Sequence, residues 1–305
     1  MVTAAAAVAL AVTACSSGPA TSSSAPAGGA SSSAAAAYKL ATPGTLTACS
    51  DIPYPPFEIE DANAPTGYSG FDIEVMGAIA QKLGLSFKVM DVDFDSLQSG
   101  TVLVSGQCDM AASAMTITDA RKKNLDFSDG YYDSLQSLLV PTASGITNLA
   151  GTAGKKIGVQ KGTTGKTYAE EHKPADATLI EFPSDGELWP AIQAKQIDVI
   201  LQDQPVNHTH EKADSSYKIV ETYKTSEQYG FAFAKDKNPA LLAAVNTQLK
   251  AMRADEQRGV IGLGCGLSQI ADLKQIVADF SPGGCFFANQ KCFRLLYVSF
   301  LDEGN

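Results

Sequence analysis

Tryptophan occurs once and histidine three times in 305 residues. A Ser-His-Asp or Cys-His catalytic centre therefore has little to draw on, since both need a histidine base beside the nucleophile. Two of those histidines fall in His208-Thr209-His210, with no cysteine or further histidine near them in sequence. That is no metal-ligand spacing, and an exposed helix face is expected there. No stripe of Lys and Arg is present, and the formal net charge is −10, which argues against a nucleic-acid partner. No stretch of 18 or more consecutive apolar residues occurs either, so nothing reads as a transmembrane helix. A phosphate-binding loop is missing as well. Gly165-Lys166-Thr167 closes like one, but the pattern G-x-x-x-x-G-K-[ST] needs a glycine where Gln160 stands.

The first apolar run, Ala4 to Ala14, is too short to span a bilayer, which takes roughly 20 residues, and suits the core of an export signal. It ends in Val12-Thr13-Ala14-Cys15, an aliphatic residue and two small ones before a cysteine. That pattern resembles a bacterial lipobox, which makes Cys15 the expected lipidated residue and residues 1–15 the signal. No Lys or Arg precedes Ala4, as if the start codon had been placed too far downstream. Ser16 to Ala37 consists of Ser, Ala, Gly, Pro and Thr, too little apolar surface to offset the entropy of ordering it. Residues 16–44 are expected to form a tether between a lipid anchor and a folded body.

From Thr45 onward short apolar runs alternate with amphipathic patterns, which argues for βαβ units and parallel sheets. Thr45–Ser50, Ser86–Val92 and Asp109–Ala114 are expected strands. Phe71, Val75, Ile79 and Leu83 recur every four residues and predict a helix that Gly84 ends. The pattern then restarts with strands at Lys156–Gln160, Thr178–Phe182 and Asp198–Gln202. Helices are expected at Thr164–His172, Asp185–Lys195 and Pro239–Ala254, with a late strand at Gln228–Ala234. Two such sets imply two lobes: residues 45–131 with 230–256, and residues 135–228. Ligands of open parallel sheets bind beyond the carboxyl ends of the strands. Those ends carry Asp51-Ile52-Pro53-Tyr54, Asp93-Phe94-Asp95, Ser113-Ala114-Met115-Thr116 through Arg121, Gly162-Thr163-Thr164 and Asp203.

The stretches SDIPYPPFE, GFDIEVMGAIAQKLGL, DFDSL, AASAMTITDARKKNLDFSDGYYDS, GKKIGVQKGTTGKTYAEEH, IDVILQDQP and QYGFAFAKD occur in that order between Thr45 and Asp255. Together they closely resemble the family 3 extracellular solute-binding proteins, the polar amino-acid receptors of ABC importers. The resemblance implies an α/β, two-lobed periplasmic-binding-protein type II fold, each lobe a mostly parallel sheet flanked by helices and joined by a two-segment hinge near Tyr131–Ser134 and Gln228–Tyr229. It implies no cofactor, a free polar or charged amino acid as ligand, an ABC permease in the membrane as partner, and a monomer at the extracytoplasmic face. Arg121 would grip the ligand carboxylate bidentately, as a planar guanidinium can and a lysine cannot. The Thr116 hydroxyl and the amides of Thr116 and Thr164 would add hydrogen bonds, Thr164 standing where a strand opens on a helix. Asp203, with the Ala114 carbonyl, would receive the ammonium. Tyr54 and Phe94 would sandwich the side chain, with Gln160 and Gly165 at the border of its pocket, and Asp51 and Asp72 would suit a polar or cationic tip.

The same fold hosts cyclohexadienyl dehydratases, whose carboxylic substrates also need an arginine clamp, and it serves in sensory modules; both remain alternatives. Cys49 lies at the end of the first strand and Cys108 just before the third. Such strands are neighbours in the family's sheets, which leaves a Cys49–Cys108 disulfide or two unpaired buried thiols. Cys265, Cys285 and Cys292 lie in the tail 257–305, which departs from the family pattern.

Overall fold

The computed structural model describes residues 38–257. The export signal, Cys15, most of the tether and nearly all of the tail, with its three cysteines, lie outside the described residues.

Leu46, Ala48 and Cys49 make β1 (Thr45–Ser50) a fully enclosed central strand. It pairs in parallel with β4 (Ser86–Asp91) on one side and β5 (Met110–Ala111) on the other. Between β1 and β4 lie a two-stranded ribbon, β2 (Ile59–Glu60) with β3 (Tyr68–Ser69), and helix α1 (Phe71–Lys82). Ile73, Val75, Met76, Ile79 and Ala80 of α1 are buried, and Gly84 takes φ 70 just beyond its end. Two short helices, α2 (Phe94–Gln98) and α3 (Thr101–Val104), lead into β5. The sheet is completed by β6 (Leu125–Phe127) and by β12 (Ala232–Ala234), which arrives from much later in the chain; its order is β4-β1-β5-β12-β6. The last described helix, α7 (Pro239–Gln257), closes this lobe, and Leu241, Val245 and Leu249 join its core.

The second sheet has the order β11-β7-β10-β8-β9. Its parallel half is β8 (Lys156–Gln160), β9 (Thr178–Phe182) and β10 (Val199–Asp203), connected by α4 (Thr164–His172) and α5 (Asp185–Gln193). Its antiparallel half is β7 (Tyr132–Pro141) and the long β11 (Tyr217–Tyr229), reached through α6 (Gln204–Ala213). Leu138, Val140, Ile157, Val159, Val199 and Leu201 form its core.

Both sheets are mixed rather than mostly parallel, each with two parallel and two antiparallel pairings. The antiparallel members come from β7 and β11 in one lobe and from β12 in the other, and these carry the chain from lobe to lobe. The expected late strand is accordingly divided, Tyr229 ending β11 and Ala232 opening β12. Gly230 between them donates its amide to the Met115 carbonyl at 3.0 Å. The expected strand Asp109–Ala114 shrinks to Met110–Ala111, because the Ala114 amide turns to the Asp72 carboxylate at 2.9 Å and its backbone takes φ 42.

Two expectations are corrected. Residues 38–44 were assigned to the tether, yet Tyr38 and Leu40 pack on the core of the first lobe, and the Ala41 amide donates to Asp109 at 2.6 Å. His210 does not sit on an exposed helix face. It is 6% exposed, with Nε2 at 3.0 Å from both carboxylate oxygens of Asp185 and its ring stacked on Trp189 at 4.2 Å. A polar helix face looks solvated in sequence, but here its partners are other buried polar groups. Cys49 and Cys108 are joined as a disulfide, with Cα atoms 5.8 Å apart.

Candidate ligand-binding cleft

Arg121 opens a single 3₁₀ turn, Arg121–Lys123, and is 6% exposed. Its guanidinium is held from behind. Nη1 donates to the Thr116 carbonyl at 2.7 Å, and Nη2 reaches across to the Gly162 carbonyl of the other lobe at 2.9 Å. The Phe94 ring lies 5.2 Å from its Cζ, a cation–π contact that fixes the plane of the fork. Burial lowers its pKa to about 10, opposed by Asp203 and Glu227. It remains charged at neutral pH.

Asp203 ends β10 and stands just before α6 without capping it, its carboxylate turned elsewhere; the second residue of α6 is Pro205. A proline there fits, because the first amides of a helix have no partner inside it. The carboxylate accepts from the Gln136 amide and the Tyr229 hydroxyl, and the Tyr54 hydroxyl also faces it. Burial, reinforced by Glu227, pushes its pKa up to about 7. Asp51 follows β1 and accepts from the Gln160 amide, which also donates to the Pro183 carbonyl at 3.0 Å. Burial again dominates its pKa, which rises to about 8, and Asp91, Asp185 and Asp93 add like-charge repulsion.

These groups surround one cleft of ≈ 290 Å³, counting the part open to solvent. Asp51, Tyr54, Phe94, Ala114, Thr116 and Arg121 line it from the first lobe, and Thr164 and Asp203 from the second. Ser113, Gln160 and Thr163 complete the wall. Thr164 is the first residue of α4, and the hydroxyl of Thr163 before it caps the Lys166 amide at 3.1 Å. Gly165 does not line the cleft but packs behind it: a Cβ there would come within 2.7 Å of Gln136 Oε1, so the Gln136 amide would have to shift.

Of the nine residues expected to contact the ligand, Asp72 is the one that the structure keeps out of the cleft wall. It lies fully buried beneath Ala114, accepting from that amide at 2.9 Å and from the Tyr131 hydroxyl at 2.5 Å. Its pKa is about 6, raised by burial and restrained by those donors. Beside it Glu58 is also fully buried, and desolvation with the neighbouring Asp72 charge drives its pKa well above the usual carboxylate range. Asp72 therefore shapes the cleft through Ala114, holding a residue with φ 42 whose carbonyl then turns with it.

Gln136, Tyr229 and Glu227 were not anticipated. Glu227 accepts from the hydroxyls of Thr116 and Thr164, both at 2.7 Å, and from Gln136 Nε2 at 3.0 Å. Glu227 and Tyr229 sit in a strand whose buried residues alternate with more exposed ones, so one slipped residue decides which face each takes, while Gln136 is a polar residue inside a buried run. The irregular register between Tyr223 and Glu227 hides that choice.

Two mixed α/β lobes, crossed twice by the chain and meeting over a cleft with one buried cation and several buried acids, define a solute-binding protein of the type II periplasmic class. Residues 46–261 match the model of the bacterial extracellular solute-binding proteins, family 3, and the chain belongs to that family. It is 32% identical over 188 residues to the "ABC transporter glutamine-binding protein GlnH" of Bacillus subtilis, covering 61% of this chain and 68% of that protein. The "arginine-binding extracellular protein ArtP" of the same organism is 33% identical over 201 residues, covering 65% of this chain and 77% of the relative. Among solved structures, the arginine-bound form of truncated ArgBP from T. maritima superposes with a TM-score of 0.63 at 29% identity, covering 68% of this chain and 96% of its own. An ancestral arginine-binding protein bound to glutamine gives 0.64 at 33% identity, with 72% and 95% covered. These relatives are binding proteins, and the dehydratase alternative is not favoured.

Proposed function

We propose that the protein is the receptor of an ABC importer, that it clamps a free amino acid between its lobes, and that it presents the loaded form to a membrane permease. The observation that carries this reading is a buried guanidinium and a buried carboxylate that line the same cleft from opposite lobes. Arg121 would take the carboxylate and Asp203, with the Ala114 carbonyl, the ammonium. The Thr116 and Thr164 amides would complete the carboxylate contacts, and Tyr54 and Phe94 would enclose the side chain. Water exclusion by the two rings strengthens every polar contact inside. Asp51 and Gln160 supply acceptors for a side chain ending in N–H donors. Relatives named for arginine and glutamine fit that preference. The chain would hinge where it crosses between sheets, near residues 131–134 and 228–229. Export and lipidation at Cys15 complete the proposal and rest on the sequence before Ser16, while the monomeric body rests on the family resemblance alone.

A thermal-shift screen of the twenty amino acids tests the ligand class, because a ligand specific to the folded state raises its melting temperature. The expected result is a rise with one or more amino acids whose side chains end in N–H donors, and none with the same compounds lacking the α-carboxylate. An equal rise with the decarboxylated amines would remove the carboxylate clamp from the proposal.

A further inference from the structure

We infer that Glu227 is a positioning residue that latches the two lobes together over the ligand, an inference that rests on the amino-acid cleft proposed above. Glu227 is 7% exposed and lies near the end of β11, the strand that leaves the second lobe for the first. The residue before it, Ser226, takes φ 53, a left-handed conformation uncommon for a side chain with a Cβ. The register breaks at the same place, and the resulting bulge aims the Glu227 carboxylate inward. One oxygen, Oε2, accepts from Thr116 of the first lobe and from Thr164 of the second, each at 2.7 Å. The two threonine oxygens are 3.5 Å apart. The other oxygen accepts from Gln136, which also donates to Asp203.

This arrangement has two consequences. Opening the cleft separates Thr116 from Thr164, so Glu227 can hold both only in the closed form. A hydrogen bond to an ionised acceptor is about twice as strong as a neutral one, so the loss falls on the open state. The second consequence concerns proton direction. A threonine hydroxyl has a single proton. With those protons committed to Glu227, both threonines face the cleft with lone pairs, which accept from an ammonium and cannot donate to a carboxylate. The carboxylate is left to Arg121 and the backbone amides. That reverses the part expected of the Thr116 hydroxyl from sequence.

The test is stopped-flow binding of an amino acid that the parent binds, followed by the fluorescence of the single tryptophan and ten tyrosines. Glu227→Gln and Thr164→Val should each speed dissociation by about tenfold, the value of one hydrogen bond to a charged group. Association should change by less than about threefold. The double variant should dissociate no faster than Glu227→Gln alone, because both changes remove the same link. An unchanged dissociation rate, or effects that multiply in the double variant, would overturn the latch. If Glu227→Gln does not fold, Glu227→Asp takes its place in the same cycle: release about tenfold faster, with no further gain when Thr164→Val is added, supports the latch, and an unchanged rate or effects that multiply overturn it. A parent that binds no amino acid would instead sink the reading of the cleft, and the latch with it.

Discussion

In the proposed clamp, two of the five N–H groups of Arg121 are spent on backbone carbonyls, one from each lobe, and the remainder would be left for a ligand. A lysine at that place keeps the charge and loses the fork. Arg121→Lys is therefore expected to weaken amino-acid binding by about 30-fold or more, within the range for losing a buried charge-assisted pair. Isothermal titration measures this directly, and parity with the parent would mean that charge alone suffices. Asp203 gives a pH signature. Its folded pKa of about 7 lies above the ordinary 3.8, so the folded state holds a proton there that the unfolded state releases. The corresponding stability is fully present below about pH 4 and is lost as pH rises through about 7; Asp51 extends the loss to about 8. Ligand binding works in the opposite sense, since an ammonium needs the ionised carboxylate. Affinity is expected to rise between about pH 5 and 8, with proton release on binding. Titrations in buffers of different ionisation enthalpy count those protons, and net uptake would rule out Asp203 as the ammonium site.

Helix α1 illustrates how an element depends on one residue. Its N-cap, Gly70, has φ 111 and ψ 170, a region open in practice only to glycine. A Cβ there would stand 2.4 Å from the Phe57 carbonyl oxygen. Gly70→Ala should destabilise the fold by about 2 kcal/mol or more, measured by urea unfolding. The Cys49–Cys108 bridge spans 59 residues, and in the chain-entropy model its reduction should cost about 4 kcal/mol. Unfolding with and without reductant checks this; equal midpoints would show that the bridge adds nothing. Most elements were legible in sequence because each buries either a periodic apolar face, as α1 does, or a short continuous run, as β8 does. Strands β7 and β11 were not, since their signal is broken by bulges and by polar residues such as Gln136 and Glu227, whose partners lie on other elements far off in sequence. Asp72 was legible as important and misassigned in place, because its partner Glu58 and the turn at Ala114 are tertiary facts.

The two lobes meet through polar contacts that sequence proximity cannot reveal. Lys161 pairs with Asp95 at 2.8 Å, Gln160 with Asp51, and Arg121 with the Gly162 carbonyl. What sequence did supply was the position of the strand ends, and eight of the nine expected ligand residues gather in one cleft for that reason. The polar groups hydrogen-bonded behind them, Gln136, Glu227 and Tyr229, belong to the crossing strands and emerge only in three dimensions. The most direct test of the proposed clamp is isothermal titration of the parent protein and of Arg121→Ala with the amino acid that gives the largest thermal shift. The proposal predicts saturable one-to-one binding by the parent and a loss of about 100-fold or more in the variant. Binding by Arg121→Ala as tight as the parent's would contradict it.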